Sequence, residues 1–168
     1  MTTERMLLGG IAVLAAGLAV LVYPTLETPL VNPGDASPVF SVKNEQGRTM
    51  TPTDFGGRVL VLNFWASWCE PCIQEFGDLN RFAQETAGQG VVVLGVSADR
   101  SEKAYKRFLQ SYQPSFATSR DPDADIAATF GTFAFPETYV IDKNGKVVKK
   151  IIGVIDDWKG LMSLVKTL

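Results

Sequence analysis

From Arg58 to Trp65 the chain reads RVLVLNFW, an uninterrupted apolar run of strand length. Such a run suits a strand buried on both faces of a sheet. Behind it, Ile73, Phe76, Leu79, Phe82 and Ala83 fall at helical spacing between Pro71 and Ala87, and a second run, GVVVLGVSA, starts at Gly90. Strand, helix, strand is the parallel crossover unit, so this stretch commits the fold to the α/β class. Both cysteines of the chain, Cys69 and Cys72, lie in the joint between the first strand and the helix.

The flanking segments extend that unit. VFSVKNEQGRTMT reads as two short strands around a glycine turn, an edge hairpin. SEKAYKRFLQSYQ predicts a helix with Ser101 at its N-cap, ending before Pro114, and DPDADIAATFG a short helix leaving at Gly131. ETYVIDKNGKVVKKIIG predicts a hairpin with a type I′ turn at Asn144-Gly145, and an amphipathic helix from Asp157 to Thr167 closes the domain. The expectation is a mixed sheet, parallel strands first and an antiparallel hairpin last, covered by helices on both faces.

The amino-terminal residues differ from the rest. Leu7 to Tyr23 carry no charge, and at about 1.5 Å per residue they nearly cross a hydrocarbon core of roughly 30 Å. Residues 1–24 are expected to be a retained membrane anchor, 25–37 an extended linker and 38–168 the folded domain. Arg5 before the run and Glu27 and Asp35 after it favour an extracytoplasmic domain. A cleaved signal peptide is the rival reading, but VYPTLETPL holds no small-x-small cleavage site. With a net charge of −2 and no basic patch, nucleic acid is not an expected partner.

The cysteine pair has several chemical readings. A structural zinc site needs four ligands, and the chain has two cysteines and no histidine, which leaves only a site shared between two chains. Covalent haem attachment needs histidine after the second cysteine, where Ile73 stands. The missing histidine also removes Ser-His-Asp and Cys-His nucleophilic sites. A purely structural staple closing so small a loop gives little chain-entropy stabilisation. Dithiol–disulfide exchange fits best: a helix N-terminus stabilises the thiolate of an exposed Cys69, Pro71 suits an early helical position, and a sheltered Cys72 resolves the mixed disulfide. No cofactor and no metal are expected.

NFWASWCEPC, the Phe135-Pro136 step and the closing hairpin together resemble the thioredoxin superfamily, in particular its membrane-tethered TlpA/ResA-like branch, which includes the thiol-disulfide oxidoreductases of cytochrome c maturation. The likeness implies a three-layer thioredoxin-like fold with an N-terminal hairpin extension and a helical insert around residues 99–130. It also implies a cis bond before Pro136, with Phe135 and Trp68 beside the substrate groove. Asn63 stands where typical thioredoxins have a buried Asp and cannot act as a base. The resemblance gives proton relay or thiol pKa tuning to Glu75, one turn beyond Cys72, and a secondary substrate-side role to Glu137. Gly77 departs from the pattern, because many relatives have a helix-kinking proline there.

The resemblance further implies an extracytoplasmic reductant. Its substrate would be a disulfide in apocytochrome c or in the chaperone that delivers it, and a transmembrane thiol protein would supply its electrons. Two alternatives stand beside it. A thiol peroxidase would need Thr or Ser three residues before its cysteine, where this chain has Ala66. A non-catalytic tethered assembly module or holdase would not need the cysteines.

Overall fold

The computed structural model describes residues 11, 13–18, 30–45 and 47–168. Its strands are β1 (Val42–Lys43), β2 (Thr49–Met50), β3 (Val59–Trp65), β4 (Val91–Ser97), β5 (Ala117–Arg120), β6 (Glu137–Ile141) and β7 (Val147–Ile152). Its helices are α1 (Glu70–Thr86), α2 (Glu102–Tyr112), α3 (Asp125–Thr129) and α4 (Trp158–Thr167). Strands β3 to β7 form one sheet in the order β5-β4-β3-β6-β7. The crossover pair β3–β4 is parallel, as is β4–β5, while β6 runs antiparallel to both β3 and β7.

Central placement explains the composition of β3. All seven of its residues are buried, because helices and loops cover both sides of the sheet. On one side Val59 and Val61 meet Val93 and Val140, under Leu79 and Phe82 of α1 and Leu161 and Val165 of α4. On the other, Leu60, Leu62 and Phe64 pack with Tyr139 and Ile141 against Val31, Phe40, Met50 and Phe55. At the carboxyl end of β3, Trp65 packs on Phe76 of α1 and Phe108 of α2, with centroids 5.4 and 4.7 Å away. A Cβ on Gly95 would stand 2.9 Å from the Trp65 indole nitrogen, so only glycine lets that ring lie against β4.

Three local expectations change in the fold. Residues 31–37, assigned to the linker on composition, lie against the domain: Val31 is buried, and Gly34 N–H and Val147 N–H bond to Val147 and Asp35 carbonyls. The closing hairpin does not use a type I′ turn. Asn144 has no positive φ, whereas Gly145 does at 78°, and Gly145 N–H bonds to the Asp142 carbonyl. The Asp142 carboxylate also accepts from Asn144 and Lys146 N–H, which fixes a three-residue loop with a left-handed glycine. Helix α1 runs unbroken through Gly77.

The expected anchor falls largely outside the described residues. Residues 11 and 13–18 are helical, with Val13 and Leu14 exposed. Among the described residues no helix is long and apolar enough to cross a membrane.

Candidate active site

The site is built where β3 hands over to α1. Cys69 is the N-cap of α1 in extended geometry, and Pro71 sits in the first turn, where a missing N–H leaves no carbonyl unsatisfied. The two sulfurs are bonded, with S–S 2.06 Å and Cα–Cα 5.2 Å. Cys72 N–H points at Cys69 Sγ, 3.3 Å away. A helix N-terminus that aims a backbone N–H at a sulfur stabilises negative charge there once the bond is reduced. Cys69 keeps 6% of its surface and Cys72 only 1%. The difference has the expected sense, but Cys69 is itself mostly buried rather than exposed, because it packs into the Trp65–Phe76–Phe108 cluster with Phe135 against it.

Trp68 is the open face of the site. It is 68% exposed and meets Phe135 edge-on at 6.1 Å. The Phe135-Pro136 bond is cis. Trp68, Phe135, Ser67, Asp99 and Arg100 line a groove of about 530 Å³ beside the cysteines. The loop before Cys69 is pinned from below. Buried Asp99 accepts from Ser67 N–H at 2.9 Å, from Ser67 Oγ at 2.7 Å and from Ser97 Oγ at 2.7 Å.

Glu75 lies under the cysteines, 3% exposed. Its Oε1 accepts from Asn63 Nδ2 at 3.0 Å, and its Oε2 accepts from Ile155 N–H at 3.0 Å. Burial pushes its carboxyl above the ordinary range, against the opposing pull of the Ile155 and Asn63 donors. Helical spacing puts Glu75 on the same side of α1 as Cys72. A carboxyl with that environment, one turn from a sheltered thiol, is equipped to take up and return a proton.

Glu137 is equally buried but engaged elsewhere. It pairs across the sheet with Phe64, so it faces away from the side where Asn63, Thr138 and Glu75 meet. Its Oε1 accepts from Tyr139 Oη at 2.5 Å and from Lys150 Nζ at 2.9 Å. The structure therefore brings Cys69, Cys72, Trp68, Phe135, Pro136 and Glu75 to one end of the sheet and leaves the Glu137 carboxylate behind it. Among the described residues no group of three or more His, Cys, Asp or Glu is placed to hold a metal ion.

Residues 33–150 match the AhpC/TSA family. The chain belongs to the AhpC/TSA family. It is 33% identical over 120 residues to the thiol-disulfide oxidoreductase ResA of Bacillus thuringiensis subsp. konkukian, covering 71% of this chain and 69% of that protein. To the thiol:disulfide interchange protein DsbE of Pseudomonas aeruginosa it is 33% identical over 133 residues, covering 77% and 72%. A crystal structure from Chlorobium tepidum, assigned as a thiol:disulfide interchange protein DsbE, superposes with a TM-score of 0.74 at 29% identity, covering 80% of this chain and 95% of that one. The chain is thus a thioredoxin-like thiol-disulfide oxidoreductase with a central mixed sheet.

Sequence reasoning missed two residues of the site's frame. Asp99 closes an apolar strand and looks like a loop acid, and Lys150 is the second of two adjacent lysines in an edge strand. The only signal for either was a charge directly beside an apolar run.

Proposed function

We propose that this protein reduces disulfides in an extracytoplasmic protein substrate, apocytochrome c or the chaperone that delivers it, from a membrane-anchored position. The observation that carries the reading is the bonded Cys69–Cys72 pair at the head of α1, with the Cys72 N–H on Cys69 Sγ and Glu75 buried one turn behind.

In the reduced protein the Cys69 thiolate attacks one sulfur of the substrate disulfide and releases the other as a substrate thiolate. Glu75 accepts the proton of the Cys72 thiol. Cys72 then attacks Cys69 Sγ, which expels the second substrate sulfur and restores the Cys69–Cys72 bond. Two electrons pass to the substrate, and a transmembrane thiol protein resupplies them. Trp68, Phe135 and Pro136 seat the substrate backbone around its cysteine, and the Glu137 carboxylate, bonded to Tyr139 and Lys150 on the other face of the sheet, does not touch substrate. Residues 1–24 hold the domain to a single-pass position on the periplasmic side, a reading supported by the charge-free run from Leu7 to Tyr23.

The decisive experiment traps the partner. A Cys72→Ser chain cannot resolve, so the substrate remains on Cys69 and can be identified from cells. Capture of apocytochrome c or its chaperone is the expected result. A reduction potential near the roughly −120 mV of a strong oxidant, rather than near the roughly −270 mV of thioredoxin, would overturn the assignment as a reductant.

A further inference from the structure

Among the described residues, two buried side-chain atoms close to the reacting centre have no hydrogen-bond partner, Trp65 Nε1 and Asn63 Oδ1, and only the second belongs to a group that holds Glu75. Asn63 is 1% exposed, and its Nδ2 donates to Glu75 Oε1 at 3.0 Å and to Thr138 Oγ1 at 2.9 Å, while its Oδ1 meets no hydrogen-bond donor. Orphaned buried acceptors are rare and costly, and this one belongs to the same amide that holds the site's carboxyl.

The arrangement serves only one charge state of Glu75. As a carboxylate it accepts from Asn63 Nδ2 and Ile155 N–H, and neither donor can accept in return. A protonated Glu75 has an O–H that needs an acceptor. Of the two groups that bond to it, only Asn63 carries a free one. The Thr138 hydroxyl can both accept and donate, so it can follow a reversal of the amide without moving its oxygen.

We propose that Asn63 is the positioning residue for Glu75 in both charge states, its amide turning half a revolution when Glu75 takes a proton, so that Oδ1 accepts from the carboxyl O–H. Three hydrogen bonds are kept on either side of the turn, two donated by the amide before it and two accepted by the amide after it, with one from Ile155 in both. The amide atom turned away from Glu75 and Thr138, Oδ1 before and Nδ2 after, has no partner among the described residues. The proton can therefore come and go without leaving the carboxyl unpaired in either state. This rests on the reading of Glu75 as the proton acceptor for Cys72.

Among the described residues, the rest of the surroundings supply no competing charge. At Glu75, β3 and β6 present the neutral Asn63 and Thr138, the loop after β7 presents the Ile155 N–H, and α1 presents the Cys72 thiol when reduced. Glu70, Asp156 and Asp157 are exposed, Asp78 pairs with Arg81 at the surface, and Glu137 and Lys150 lie across the sheet.

The test compares Asn63→Leu with the wild type in the full chain. Leucine keeps the branched shape of the amide but neither donates nor accepts. The Leu variant is expected to exchange disulfides more slowly by about tenfold, the size expected for one hydrogen bond to a charged group. Its profile midpoint should move to higher pH, because the carboxylate loses its Asn63 donor. A Leu variant with the wild-type rate and profile would overturn the proposal.

A second readout uses the Asn63 side-chain amide resonances across the titration and in Glu75→Gln, which fixes position 75 in a neutral, donating form. Amide contacts that reverse in both cases support the turn, and contacts that stay fixed in both refute it. The underlying reading fails separately, if Glu75→Gln exchanges disulfides at the wild-type rate.

Discussion

Glu75 and Glu137 are both 3% exposed, yet they belong to opposite faces of the sheet and to different chemistry. Among the described residues Glu75 meets only neutral donors, the Asn63 amide and the Ile155 N–H, and burial drives its carboxyl upward. Glu137 has a cation, Lys150, at 2.9 Å and the Tyr139 hydroxyl at 2.5 Å. On Lys150, burial works against the charge, but Tyr139 and Glu137 outweigh it and raise its pKa. The two sites show that burial alone does not make a proton carrier. A buried carboxyl without a counter-charge is poised to change its protonation, whereas one held by a cation is a fixed strut.

The comparison can be broken most severely at Lys150. Lys150→Met leaves Glu137 buried without its cation and is expected to lower stability by about 3 kcal/mol or more in urea unfolding. Adding Glu137→Gln should recover most of that loss, and the pH profile of disulfide exchange should not move. A loss below about 1 kcal/mol, the worth of a surface pair, would show that Glu137 does not depend on Lys150.

Glu75→Gln should do the converse. Exchange is expected to slow on the order of 100-fold, as when a positioned acid–base group is removed. Stability should follow pH in a way the variant does not. Because the folded-state pKa is raised, both folded and unfolded chains are protonated in acid, and the wild type carries no penalty there. As pH climbs from the ordinary carboxylate range through the raised folded value, the unfolded chain ionises first and the wild type loses stability relative to Glu75→Gln. Parallel stability curves for the two proteins would remove the distinction between the glutamates.

Smaller changes sharpen the contrast. Tyr139→Phe deletes the hydroxyl whose one proton is placed to reach the Glu137 carboxylate or the Phe130 carbonyl, and which also meets Thr132 Oγ1, and should cost about 1–2 kcal/mol with exchange little changed. Gly77→Ala touches neither glutamate. A Cβ there meets nothing within 4 Å, so thermal unfolding should show a gain of up to about 1 kcal/mol at unchanged activity.

Much of this molecule was legible from local pattern. The apolar run of β3, the stripe of α1 and Ser101 before α2 encode their elements through spacing and capping alone, and Ser101 does accept from Ala104 N–H in the structure. Cys69 could be set at the head of α1 for the same reason, since helix entry is a local event. The closing turn was misread because Asn-Gly satisfies more than one loop length, and the Asp142 side chain chose the longer one. The packed segment from Val31 was misread because its prolines and polar residues look like a tether, while its anchoring bonds run to a strand more than a hundred residues away.

The order of strands and helices and the position of both sulfurs at a helix entrance are written in local pattern, because each depends on neighbours within a turn or two. What each carboxylate meets is set by long-range packing. Asn63 reaches Glu75 across 12 residues and the Ile155 N–H reaches it across 80, while Lys150 arrives at Glu137 from the neighbouring strand. Those meetings are fixed by sheet register and by which face of a strand a side chain takes, and no spacing along the chain encodes them.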